Sequence, residues 1–420
     1  MTEPDLVLLH AGTMATLAGT GPLRGARAGE LGLVPDGAVA VARGVIQAAG
    51  STETVLRDVT VGVDTRIVDL DGRALLPGLV DAHTRLLYAG QQREAMLRRL
   101  DEGYDRARCA ASTAATIAAT SAEPPEALEA ALLGRLGAMG RLGVTTVEVA
   151  SGYARTASDQ LRLLEVLARA RHRARVRVVP TLLGLKVPPG EGGVEADVET
   201  WVTGLIPEVA RRELAAFVEL AVGGGGCSPA VARAVLEAAR PQGLGLKVSA
   251  PPDDSGEAVA LASEIGAVSL ACALAPEDGD WAAMAASGTM MVLVPGSAFF
   301  LGLTPRRVRE VVAAGVPVAL GTDANPVTSP TGSLLAVMAL ATFEMGLTPA
   351  QALVAATRNA AHALGLGATT GSIEVGKSAD LLAIDGDDPL DLIYRFATPQ
   401  AFCVVARGRL LVDPQDGGGR

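Results

Sequence analysis

His83 and Arg85 stand two residues apart, directly after the run Leu75-Leu76-Pro77-Gly78-Leu79-Val80-Asp81-Ala82. On a strand, residues two apart point to the same face, so both side chains enter one pocket. Imidazole can ligate a metal or carry a proton near neutral pH. A guanidinium stays charged at every accessible pH and cannot be a ligand. The pair poses the central question: does this pocket run on a metal, or on fixed positive charge?

The elements that carry these residues are legible from hydrophobic patterning. Eight mostly continuous apolar runs, at 75–82, 143–150, 176–184, 215–222, 244–250, 266–271, 289–295 and 316–322, read as strands covered on both faces. Ala/Leu/Arg stretches at 124–141, 158–173, 229–240, 256–265, 305–314 and 349–363 read as the helices between most of them. Eight such units predict an α/β fold, a (β/α)8 TIM barrel over 69–365. Alternating segments at 5–12, 38–48 and 66–74, and again at 371–376, 380–385 and 401–412, predict a small β-sandwich domain built from both chain ends, 1–68 and 366–414. The glycine-rich residues 415–420 read as a disordered tail.

Composition narrows the function classes. The 420 residues carry a net charge of −10 without a basic stripe, which argues against nucleic acid. No apolar run is long and uninterrupted enough for a membrane helix, and the acidic start does not read as a signal peptide. The four cysteines (109, 227, 272 and 403) lack paired spacing, which suits reduced thiols in a cytoplasm and no cysteine-type zinc site. Lysine occurs only at 186, 247 and 377 in an arginine-rich chain, so each one invites attention.

In a TIM barrel, chemistry belongs at the C-terminal strand ends. In order these supply His83 and Arg85, Ser151-Gly152-Tyr153, Lys186, Gly223–Gly226, Ser249, Cys272, Pro295-Gly296-Ser297 and Asp323. An unpaired carboxylate at such a mouth is costly, and Arg85 can supply its partner. Asp323 in turn should favour the imidazolium form of His83. Lys186 adds a mobile cation or an amine of lowered pKa. These groups could polarise a carbonyl and move protons without a metal-bound water. The competing reading is an inert salt-bridged plug.

Several segments resemble the amidohydrolase superfamily, and within it imidazolonepropionase-like hydrolases. They include Leu76-Pro77-Gly78-Leu79-Val80-Asp81-Ala82-His83-Thr84, Gly143–Val149, Ser151-Gly152-Tyr153, Val179–Gly184, Pro295–Leu301, Thr322-Asp323-Ala324-Asn325-Pro326 and Gly371–Lys377. The resemblance spans about 70 to 385. It implies one divalent metal held by a His-x-His on strand 1, a histidine on each of strands 5 and 6, and an aspartate on strand 8. Here those positions read His83 with Arg85, then Ser249, Cys272 and Asp323. The family's acid/base glutamate falls on Pro252, and its strand-3 substrate histidine falls on Lys186. Arg93, or Gln92 if the segment is one residue longer, matches the arginine that holds a substrate carboxylate. Tyr153 matches a ring-contacting tyrosine. A homodimer is also implied.

The sequence therefore predicts a divergent enzyme without metal or other cofactor, acting on a small carboxylate-bearing substrate, imidazolone-like or a cyclic amide. Cyclisation, dehydration and ring opening are the reactions that fit, with specialised metabolism as the setting. His83, Asp323, Lys186 and Arg85 are the expected catalytic groups. Arg93, Tyr153, Ser249, Cys272 and Asn325 are the expected substrate contacts. Two alternatives stand beside this reading: a catalytically inactive ligand-binding protein, and a hydrolase with zinc on His83, Cys272 and Asp323.

Overall fold

Gly78 divides the first expected strand between two sheets. A Cβ at this position would lie 2.3 Å from the Thr145 hydroxyl, so only glycine lets the chain pass this close. Leu75–Pro77, expected to open the barrel, pairs instead with Leu381–Ile384 and, at Leu75, with Met14 of Leu6–Ala15. The barrel begins at Leu79. In the computed structural model, which describes residues 3–184, 193–224, 226–252, 256–276, 279–396 and 398–415, the two sheets account for all of the assigned strands.

The barrel strands are β1 (Leu79–Asp81), β2 (Val144–Ala150), β3 (Arg177–Gly184), β4 (Phe217–Ala221), β5 (Gly245–Ser249), β6 (Ser269–Cys272), β7 (Met290–Leu293) and β8 (Val318–Leu320). Each pairs in parallel with the next, in chain order. Ala82 N donates to Leu320 O (3.2 Å), which links β1 to β8. Gly321 makes the closure possible, because a Cβ there would meet the His83 backbone N at 2.9 Å. The expected (β/α)8 barrel is thus present.

Helices cover the outside of the barrel. Ala157–Arg173 starts in a capping box between Thr156 and Asp159, and its leucines and alanines pack into the core. The expected helix at 349–363 is broken into Pro349–Ala355 and Arg358–Ala363, because Thr357 leaves helical backbone (φ −132°, ψ −94°). The expected helix at 305–314 shortens to Arg309–Ala313. The β1–β2 connection contains two helices the pattern did not predict, Arg93–Glu102 and Arg106–Ala122.

The second sheet joins both chain ends, as expected. Its order runs Arg409–Val412, Ala401–Ala406, Leu381–Ile384, Leu75–Pro77, Leu6–Ala15, Leu33–Ala42, Val45–Ser51, with Arg66–Asp69 also on Leu6–Ala15. Residues 38–48 form a hairpin of two strands rather than one. Residues 371–376, expected to be a strand, form turns instead. There Lys377 Nζ donates to Gly367 O (2.7 Å) and Ser372 Oγ (2.6 Å), which satisfies the segment locally. The expected tail lies outside the described residues apart from Gln415.

Candidate active site

The first barrel turn beyond β1 and β8 is stitched by backbone hydrogen bonds. Asp323 N donates to His83 O (2.9 Å), and Arg85 N donates to Ala324 O (3.1 Å). Asp323 adopts left-handed backbone (φ 47°), a conformation an aspartate tolerates at some cost. Asn325 Nδ2 donates to the Asp323 carbonyl (2.5 Å) and to Thr328 Oγ1 (2.7 Å), while its Oδ1 accepts from Val327 N and Thr328 N (both 2.8 Å). Both polar atoms of the Asn325 side chain are engaged in holding this turn. In this structure it braces the Asp323 turn.

Asp323 Oδ2 accepts from Ser297 Oγ (2.7 Å) and Thr328 Oγ1 (2.9 Å). That leaves Oδ1, which faces His83 Nε2 and Arg85 Nε at 3.6 Å each and accepts no hydrogen bond. The three expected groups are therefore together. The opposite ring nitrogen, His83 Nδ1, faces Glu219 Oε2 (3.5 Å) and Glu148 Oε2 (3.7 Å). Neither glutamate was anticipated.

Glu148 lies midway along β2 and is saturated. Its carboxylate accepts from Lys247 Nζ (2.6 Å), Thr181 Oγ1 (2.5 Å) and Thr84 N (3.3 Å). Lys247 also donates to Ala82 O (3.2 Å), so its fully buried ammonium ties β5 to β2 and β1. Glu219 on β4 is equally buried, yet both of its carboxylate oxygens lack a hydrogen-bond donor. The signal for both was available: a glutamate inside an apolar run, Val-Glu-Val or Val-Glu-Leu, on a strand covered on both faces.

These groups set one another's protonation. Burial alone would lower the His83 pKa, but Glu219, Glu148 and Asp323 lift it above the usual imidazole value. Burial would raise the Glu219 carboxyl, yet His83, Lys247 and Arg85 hold it well below the carboxylate range. Arg85 loses hydration but is held in its charged form mainly by Asp323 and Glu219. Three carboxylates thus face three cationic groups, His83, Arg85 and Lys247. Beneath them burial pushes Asp81 up to about 7, against hydrogen bonds from Thr322 Oγ1 (2.6 Å), Thr322 N (3.0 Å) and His83 N (3.4 Å).

The remaining expected residues divide. Tyr153 is buried, its ring set edge-on to Tyr88 (centroids 6.2 Å apart), and burial raises its hydroxyl while the neighbouring Arg85 charge partly offsets this. Ser249 Oγ is buried without a partner. Cys272 is buried, and burial pushes its thiol up to about 12, the wrong direction for a nucleophile or a thiolate ligand. Arg93 opens the helix Arg93–Glu102, is exposed and donates to Gln91 Oε1 (3.2 Å). It lines a groove of about 680 Å³ whose walls also include Arg99, Arg108 and Val327. Gln92, the alternative anchor, instead donates to Thr116 Oγ1 (3.1 Å). Lys186 lies outside the described residues.

The donor set does not suit the metal that the resemblance implies. Among the described residues, the one group of three or more possible ligands is His83, Glu148 and Glu219, with ligand atoms within 4.8 Å of one another. Cys272 and Asp323 are not in it. Glu148 already holds the Lys247 ammonium, and the free oxygen of Asp323 faces a guanidinium. A dication in this mouth would meet two permanent positive charges in a medium of low dielectric.

Comparison with known proteins agrees with this architecture. Residues 74–410 match the amidohydrolase family. The chain is 38% identical over 419 residues to an imidazolonepropionase from Symbiobacterium thermophilum, covering 98% of each chain. It is 38% identical over 429 residues to an imidazolonepropionase from Brevibacillus brevis, covering 98% of this chain and 99% of that one. Among solved structures, a zinc complex of atrazine chlorohydrolase from Arthrobacter aurescens superimposes with a TM-score of 0.73 at 19% identity, covering 98% of this chain and 96% of that one. A zinc-bound adenosine deaminase from Xanthomonas campestris gives 0.72 at 21% identity, covering 98% and 94%.

Proposed function

Because the chain belongs to the amidohydrolase family, we propose that it is an enzyme opening the C–N bond of a small cyclic amide, and that it does so without a metal. The observation carrying the second half is the shared oxygen. Asp323 Oδ1 faces both Arg85 Nε and His83 Nε2 at 3.6 Å, while Oδ2 is held by two hydroxyls. One carboxylate oxygen thus remains for chemistry, flanked by a fixed cation and a proton carrier.

In the ring-opening direction, Asp323 Oδ1 takes a proton from water as the water oxygen bonds to the amide carbon. The Arg85 guanidinium stabilises the negative charge that develops on the carbonyl oxygen. His83, held as imidazolium by its carboxylates, gives a proton to the departing nitrogen as the C–N bond breaks. Asp323 then returns the proton taken from water to His83. The same steps in reverse give cyclisation. Lys186 is assigned a second stabilising charge from its strand-end position in the sequence. Arg93 and Tyr153 are assigned to the substrate, with the Arg93 groove receiving a carboxylate tail.

The reading places the enzyme in the cytoplasm and pairs it with a second copy. Among the described residues no helix is long and apolar enough to cross a membrane. The test is turnover of a panel of five-membered cyclic amides bearing carboxylate tails. Asp323→Asn should lower kcat by about 10²–10⁴-fold with little change in fold. Turnover unchanged by that substitution would refute the assignment.

A further inference from the structure

Three carboxylates surround His83, and they differ in one respect. Glu148 accepts from three donors, and Asp323 from two on one oxygen. Glu219 is fully buried, yet Oε1 has no partner and Oε2 has only the His83 Nδ1 at 3.5 Å, outside good hydrogen-bond geometry. Buried carboxylate oxygens without donors are rare, because they lose hydration and gain nothing in exchange. A second unpartnered group lies beside it. In the β4–β5 register Glu219 pairs with Lys247, whose side chain points into the barrel. Ser249 is two residues further along β5 on that same face, one pleat step nearer the mouth, and its buried Oγ is also free.

We propose that Glu219 and Ser249 form a recognition subsite for a substrate edge carrying two N–H donors on one carbon. The class is an amidinium, a guanidinium or a cyclic acylguanidine. This rests on reading the barrel mouth as a substrate site and adds the identity of the substrate's inner edge. Glu219 Oε1 is bare and Oε2 meets only the His83 ring at 3.5 Å, so the carboxylate can still receive two parallel N–H groups in fork geometry, the arrangement that makes such pairs strong and selective. Ser249 Oγ can accept a further N–H or donate to a ring nitrogen. Arg85 Nε, which makes no hydrogen bond and faces Asp323 Oδ1 at 3.6 Å, offers a donor to the amide carbonyl.

The test is calorimetric binding to the full-length protein of two rings that differ at one atom. The probes are 2-iminoimidazolidin-4-one, which carries the N–H fork, and hydantoin, in which oxygen replaces it. The imino ring should bind about ten- to a hundredfold more tightly. Glu219→Gln should abolish that preference, and Ser249→Ala should weaken the imino ring about three- to tenfold, with the second variant standing alone if the first misfolds. Equal affinity for the two rings, no binding of either, or a preference that survives both substitutions would overturn the subsite. Failure here is separable from failure of the catalytic reading. Preferential binding without turnover supports the subsite and counts against catalysis. Turnover without preference does the reverse.

Discussion

Arg85 Nε stands 3.6 Å from Asp323 Oδ1, on the oxygen that no hydroxyl holds. A guanidinium thus occupies the approach to the aspartate that the family resemblance would make a metal ligand. The pair is partly open, with 22% of the Arg85 side chain exposed, so its contribution to stability is limited by solvent. Arg85→Met should cost about 1–2 kcal/mol, less than breaking a sealed pair, and should lower kcat far more than it alters the denaturation midpoint. Urea unfolding beside steady-state kinetics checks this; equal proportional losses would mean that Arg85 is only structural.

Lys247 and Glu148 are sealed from solvent and 2.6 Å apart. Lys247→Met leaves a buried carboxylate without its cation and should cost about 3–5 kcal/mol. Adding Glu148→Gln to the same chain should restore much of that loss, because no buried charge is then unmatched. A double-mutant cycle by chemical denaturation measures the coupling, and simple additivity would contradict the pairing.

Above the carboxylate range, where the depressed acids such as Glu219 no longer titrate, stability should fall as pH rises. Asp81 is raised in the folded state from its ordinary value of 3.8 to about 7. Its folded form binds the proton more tightly, so its favourable contribution is complete below pH 3.8 and lost by the time pH passes about 7. His83, also raised, adds stability that is complete below 6.5 and declines as pH climbs through its elevated folded pKa. Asp81→Asn should remove the first component, giving a flatter Tm between pH 4 and 7 and a higher Tm than the parent at pH 8. A parent Tm that increases steadily across this range would show the signs to be wrong.

Cys272 should be chemically quiet. With its thiol pushed up to about 12 inside the barrel, it should resist alkylation in the folded protein. Cys272→Ala should leave kcat within about threefold, since no step uses the sulfur. A collapse of activity together with loss of bound zinc would favour the cysteine–zinc alternative.

The fold was legible because strand runs and helix periods are local properties. The exceptions were set by contacts made across the chain: Gly78 passing against Thr145, and Thr357 interrupting an otherwise helical run. The site was legible at strand ends, where His83, Arg85, Tyr153 and Asp323 stand out against loop sequence. Glu148 and Glu219 were missed because each is one polar letter inside a hydrophobic run. The bracing of the Asp323 turn by Asn325 was not legible, because a turn brace and a substrate contact look alike in sequence.

The central claim is that positive charge on the protein does here what the metal implied by the family resemblance would otherwise do. It is tested most directly by metal analysis of the active enzyme, with turnover of a cyclic amide measured before and after exhaustive chelation. The account predicts no stoichiometric metal and an unchanged rate. A stoichiometric divalent ion whose removal abolishes turnover and whose return restores it would contradict the account.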